Sequence, residues 1–125
     1  MSDLQTGTGL LVAIGAAVGA PLRFVLGSRI DGAWPRGTFV VNVTGCFAMG
    51  LAMVLLTDRL VANPGWRYLI PIGFIGAYTT FSTFEFETFR AVTEGGWLIG
   101  AANVVGSVVA GYAALWIGVV MGGAL

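Results

Sequence analysis

The densest chemistry in this sequence lies in one run, Gly73-Phe-Ile-Gly76-Ala-Tyr-Thr79-Thr80-Phe81-Ser82-Thr83-Phe84-Glu-Phe-Glu87. Two glycines followed by consecutive hydroxyl residues predict a weakened helix. A break there frees backbone carbonyls, and inside a membrane such breaks are tolerated where they coordinate ions or line cavities. Carbonyls without nearby carboxylates suit a weakly charged cation such as Na+. Beyond the break, Thr80, Thr83 and Glu87 fall at i, i+3 and i+7, on one helical face. Phe81 and Phe84 are three apart and share another. An aromatic ring has a positive edge, so ring edges together with hydroxyl and amide donors could solvate a small anion without a fixed positive charge. The bland alternative for the two rings is packing or lipid contact.

Three further stripes carry polar groups beside small residues. Gly15, Gly19 and Arg23 recur every four residues, as do Asn103, Ser107 and Gly111, while Thr38, Asn42 and Gly45 fall at i, i+4 and i+7. The small residues permit close helix approach. Arg23 would project from the same contact face, unless it snorkels to the interface. Asn42 offers two donors and an acceptor, for a pathway or for a neighbouring helix. Interhelical glue explains one such stripe comfortably, and three less well.

The elements that must position these groups are membrane helices. Of 125 residues 57% are hydrophobic and 10% charged, with a mean hydropathy of +0.89. A soluble domain carries about 25% charged residues, because water must solvate its surface. His is absent, which excludes a His-based catalytic triad and His metal ligation. The six cationic and six acidic groups balance, so no basic footprint points to nucleic acid. Cys46, the single cysteine, sits in an apolar run and reads as a packed, unreactive thiol.

A crossing helix needs about 20 apolar residues. Four runs qualify, over approximately 8–28, 38–57, 68–91 and 97–124, giving one four-helix domain over 1–125. Short connections with turn residues join them: Asp31-Gly32-Ala33-Trp34-Pro35, Ala62-Asn63-Pro64-Gly65 and Glu94-Gly95-Gly96. Trp34, Trp66 and Trp97 flank the runs, where indole rings favour the interface. No basic region precedes the first run, so it does not read as a cleavable signal. One side carries Arg59 and Arg67; the other carries Arg29, Arg36 and Arg90, with Arg23 near a span end. So weak a bias leaves open both a single orientation and insertion both ways up. Four short spans are also too few to enclose a solute pathway, which predicts partner subunits, most simply copies of the same chain.

At this point the chain resembles a known family, the Fluc fluoride channels, also called CrcB-like proteins. Gly19-Ala-Pro-Leu-Arg23-Phe is similar to the family's G-x-x-x-R-aromatic element. Gly37-Thr38-Phe-Val-Val-Asn42-Val-Thr-Gly45 resembles its G-T-x-x-x-N-x-x-G element, and residues 73–84 resemble its G-F-x-G-x-x-T-T-F-S-T-F signature. The resemblance implies an all-α membrane protein of four transmembrane helices, the third broken near mid-membrane. It further implies an antiparallel, dual-topology homodimer in a bacterial plasma (inner) membrane, with two fluoride pathways and a central structural Na+. Carbonyls of Gly76 and Thr79 from both subunits would hold that ion. Phe81 and Phe84, drawn from opposite subunits, would form an aromatic box along each pore. Asn42 would donate to fluoride and orient a ring, Thr38 and Ser107 would belong to a polar track, and Arg23 would supply positive potential at a vestibule. Thr80, Ser82, Thr83 and Glu87 complete the implied pathway. Asn103 and Gly111 depart from the pattern, standing where members can carry an aromatic and a hydroxyl.

The implied activity is passive, non-enzymatic export of cytoplasmic fluoride. Fluoride is strongly hydrated, and a narrow row of donors can replace its water and still release it. Two alternatives stand beside this reading. A small multidrug-type cation/proton antiporter needs an intramembrane carboxylate; the first span has none, and Glu87 lies towards the end of the third. In a membrane scaffold, the polar stripes would only lock helices together.

Overall fold

The computed structural model describes residues 2–30, 35–59 and 63–125, with only the backbone of Asp58 and Arg59. Trp34, the turn residues 31–33, Ala62 and the Arg59 side chain therefore lie outside the described residues. All regular structure among them is helical: α1 Ser2–Arg29, α2 Arg36–Met53, α3 Gly65–Arg67, α4 Gly76–Tyr78, α5 Phe81–Gly95 and α6 Trp97–Ala124. Two wider π-helical stretches, Val54–Arg59 and Tyr68–Ile75, extend α2 and join α3 to α4. Pro71 explains the second of these. It has no N–H to give and its ring crowds the preceding turn; the wider winding accommodates it, and its carbonyl accepts the Gly76 N–H.

Among the described residues three helices are long and apolar enough to cross a membrane: Ser2–Arg29, Arg36–Thr57 and Trp97–Ala124. Their large apolar side chains point outward, including Leu10, Val18, Phe24, Val105, Val109 and Trp116, while the buried apolar set is little more than Val41, Ile75, Tyr78 and Phe84. An apolar exterior around so small a core is the inverse of a water-soluble fold. This is a multi-pass membrane protein.

The third run differs from the other three, because it is not one helix. Helical backbone runs from Gly65 through Tyr78, stops, and resumes at Phe81. Thr79 (φ −84°, ψ 158°) and Thr80 (φ −147°, ψ 124°) are extended between the halves. The break thus falls at the hydroxyl pair. Gly73 and Gly76 lie within unbroken helix, contrary to the expectation that they share in weakening it. Gly73 instead lets the α1 backbone approach: a Cβ there would sit 2.7 Å from the Val12 carbonyl oxygen.

Close approach through glycine recurs across the bundle. A Cβ on Gly15 would strike the Leu69 carbonyl, and one on Gly19 the Phe74 carbonyl, so α1 lies directly on residues 69–78. Gly50 and Gly118 seat α2 and α6 against each other in the same way. Where lipid is as apolar as the side chains, such backbone contact replaces hydrophobic burial as the cohesive force. Helix α2 is central, touching α1, α4, α5 and α6. Further differences are small: α1 begins at Ser2 rather than near residue 8, and α5 runs through Gly95, so Gly96 alone (φ +104°) makes the last turn.

Gly19→Val puts branched carbon into the Phe74 carbonyl and is expected to cost about 1–3 kcal/mol, as overpacking does. Gly106→Ala, which meets nothing within 4 Å, is expected to be silent. Thermal unfolding in detergent checks the pair; equal midpoints would mean that α1 does not lie on Phe74.

Candidate functional site

The break sets the site. Extending Thr79 and Thr80 removes the donors that would have served the last carbonyls of α4, and the first N–H groups of α5 begin without partners. Three side chains compensate. Asn42, on α2, meets the Thr80 backbone twice: its Nδ2 donates to the Thr80 carbonyl at 2.9 Å and its Oδ1 accepts the Thr80 N–H at 2.9 Å. Thr80 itself caps α5, its Oγ1 accepting the Thr83 N–H at 3.3 Å and donating to Thr83 Oγ1 at 3.0 Å. Arg23, from α1, donates through Nε to the Ala77 carbonyl at 3.1 Å. A cation at the C-terminal end of a helix also opposes the local negative dipole. Among the described residues no protein donor reaches the Gly76 and Thr79 carbonyls.

Two clefts adjoin at Thr80, which lines both. The first, about 330 Å³, has Asn42, Phe81, Phe84 and Ser107 in its wall, with Thr79, Ile75 and Leu115. Phe84 is 7% exposed and Phe81 74%; their ring centroids lie 6.0 Å apart with planes tilted 41°. Ser107 Oγ is buried there and has no hydrogen-bond partner among the described residues. The second cleft, about 280 Å³, is more polar than the first: Arg23, Thr38, Thr80, Thr83 and Glu87 share it with Gly37 and Val41. Thr38, buried on α2, donates to Glu87 Oε1 at 2.9 Å, while Glu87 Oε2 is buried and has no partner among the described residues.

The expected pathway residues and the pair expected to hold a cation line these two adjoining clefts with two exceptions. Ser82 is exposed and lines neither cleft, and Gly76 lies exposed on α4 away from both. Thr80, Thr83 and Glu87 share a face, as their spacing requires. Arg23 is half-buried and committed to a carbonyl as well as facing the polar cleft. Of the two departures, Asn103 is 1% exposed and outside both clefts, and Gly111 is buried with its Cα side towards Cys46.

Cys46, read from the sequence as a packed thiol, is half-buried and lines the first cleft. Other participants were not singled out by sequence. Met49 forms part of the same wall. Tyr78 stacks with Phe74 at 6.1 Å and meets Thr44 Oγ1 through its hydroxyl at 2.9 Å, tying α4 to α2. Thr88, one turn beyond Phe84, donates to the Phe84 carbonyl at 2.8 Å and accepts from Asn103 Nδ2 at 2.8 Å. The four-residue spacing from Phe84 was its available signal.

Among the described residues no group of three or more His, Cys, Asp or Glu could hold a metal ion. A cation would meet backbone carbonyls instead. Taken together, two open clefts with polar and aromatic walls lie side by side on a bundle of membrane helices. Comparison with known proteins agrees. Residues 10–119 match the family described as CrcB-like protein, Camphor Resistance (CrcB), and the chain belongs to that family. It is 55% identical over 116 residues to the fluoride-specific ion channel FluC of Solibacter usitatus, covering 90% of this chain and 95% of that one. It is 46% identical over 117 residues to FluC of Acidobacterium capsulatum, covering 90% and 94%. The FluC of Chloroflexus aurantiacus is 43% identical over 117 residues, covering 90% and 93%. These relatives are ion channels, and the chain is not an enzyme.

Replacing Asn42 with Leu keeps the volume but strands both Thr80 backbone groups, for an expected loss of about 1–3 kcal/mol. Asn42→Asp still accepts from the Thr80 N–H but sets a carboxylate oxygen against the Thr80 carbonyl, so its thermal midpoint in detergent is also expected below wild type. Wild-type midpoints in both variants would remove Asn42 from the break.

Proposed function

We propose that this protein is a fluoride-selective channel through which cytoplasmic fluoride leaves a bacterial cell passively, across the plasma membrane. The observation that carries the reading is the first cleft. Two phenylalanine rings, an amide and an unpartnered buried hydroxyl face one space there, and that space adjoins a polar cleft beside Arg23. Ring edges and O–H or N–H donors all present positive charge to an anion, and none is a fixed cation that would trap it. The amide retains a second N–H beyond the one given to Thr80. The helix α5 starts at Phe81 and adds its N-terminal dipole. The names of the relatives support the same anion.

The finer architecture belongs to this proposal. The halves of the broken segment, 65–78 and 81–95, together make a fourth crossing. Both clefts are open in the single chain, and Phe81 is largely exposed, so a second copy is needed to close each pathway. The near-balanced loop arginines are compatible with an antiparallel pair, which would carry two pores. Gly76 and Thr79 carbonyls freed by the break, contributed by both copies, form an all-oxygen donor set suited to a structural Na+ on the axis; that ion would neutralise and fix the facing carbonyls. Antiport of the multidrug type draws no support from the comparisons, and Glu87 is already engaged by Thr38.

Efflux of fluoride from liposomes, read with an ion-selective electrode, tests the proposal. Wild type is expected to conduct. Phe81→Ile and Phe84→Ile are expected to assemble as dimers and lose most of the flux, because an aliphatic side chain has no comparable ring-edge polarity. Asn42→Asp should lose it too, by placing negative charge beside the anion. Near-normal flux in both Phe→Ile proteins would return these rings to packing.

A further inference from the structure

We infer that Asn103 is a positioning residue for the pathway, setting the register between the Phe84 ring and the Ser107 hydroxyl through Thr88; this rests on the channel reading above. Helices α5 and α6 are joined by Gly96 alone and run antiparallel. A Cβ on Gly100 would strike Val92 Cγ2 and lie 3.5 Å from the Thr88 carbonyl oxygen, so the two backbones are close there. One turn further from the Gly96 turn, Thr88 faces Asn103 and bonds it at 2.8 Å. One turn further again, Phe84 on α5 and Ser107 on α6 both enter the first cleft. The pairs Phe84/Thr88 and Ser107/Asn103 are each four residues apart, one helical turn, so fixing the second rung fixes the first.

The rung is a chain of donors. Asn103 N–H gives to Thr88 Oγ1, and the Thr88 hydroxyl gives to the Phe84 carbonyl at 2.8 Å. Accepting a hydrogen bond polarises a hydroxyl and strengthens its own donation. Asn103 is 1% exposed and stands outside the cleft wall, so it acts on the anion only through what it holds. What it holds is the separation of a ring edge and a hydroxyl with no other partner. A site that replaces water at fixed spacing distinguishes a small anion from a larger one by that spacing. Loosening the rung would therefore change which anions pass, beyond lowering the amount of folded protein.

The test measures fluoride and chloride efflux side by side from liposomes holding wild type, Asn103→Leu, Thr88→Val, the double variant and Thr88→Ser. Asn103→Leu and Thr88→Val are each expected to lower the fluoride-to-chloride ratio about fivefold, the ratio equivalent of one hydrogen bond. The double variant should fall no further than either single, as members of one unit do. Thr88→Ser keeps the hydroxyl and should keep the ratio. Partial misfolding scales both fluxes together and leaves the ratio alone, and Thr88→Val carries the test by itself if Asn103→Leu does not assemble. An unchanged ratio in the assembled single variants overturns the inference and leaves the channel reading intact. Wild type that passes no fluoride overturns the channel reading, a separate failure visible before any variant is compared.

Discussion

The double hydrogen bond between the Asn42 amide and the Thr80 backbone is the interaction on which the rest of the site depends. In lipid, a chain that leaves its helix must find partners for each backbone group it frees, since no water is present to serve. Asn42 supplies one donor and one acceptor in the geometry of a neighbouring strand. With Thr80 held extended, its hydroxyl is placed to cap α5, which fixes where that helix starts and so where Phe81 and Phe84 emerge. The two clefts meet at Thr80 for the same reason. The carbonyls that Asn42 and Arg23 do not reach remain available, and the proposed cation site is built from them.

The packing makes this arrangement affordable. Few side chains are buried in the single chain, and the helices approach through glycine instead: Gly15 and Gly19 against residues 69–78, Gly50 and Gly118 between α2 and α6. Backbone-to-backbone contact is rigid because it leaves little room for rotamer change. That rigidity matters for a passage whose walls must hold donors at set distances. Polar groups then specify the details. Tyr78 with Thr44, Arg23 with Ala77, Thr38 with Glu87 and Asn103 with Thr88 each join a different pair of elements.

Much of this was legible in the residues. The spacing of Thr80, Thr83 and Glu87 placed them on one face, and Phe81 with Phe84 on another, because helical periodicity acts locally. The four-residue recurrence of Gly15, Gly19 and Arg23 likewise gave a contact face that the structure uses. The position of the break was harder. Glycine is the usual suspect for weakness, yet Gly73 and Gly76 stay helical, and the extended pair is Thr79–Thr80. Its cause is non-local: Asn42 lies 38 residues away in sequence and rewards extension at Thr80. Thr88 escaped notice for a similar reason. A threonine in a helix is ordinary until Asn103 is known to face it. Ser82 follows Phe81 at the start of α5, and the helical phase leaves both exposed in the single chain.

The local conformation at the break is what the whole site rests on. Solid-state NMR of the protein in bilayers, reading the Cα and Cβ chemical shifts of Thr79 and Thr80, measures that conformation without mutation. Shifts of extended backbone are expected at these two residues, flanked by helical shifts at Tyr78 and from Phe81 onward. Helical shifts continuing through Thr79 and Thr80 would contradict that conformation, because Asn42 would then have no freed backbone to hold and the two clefts no common wall.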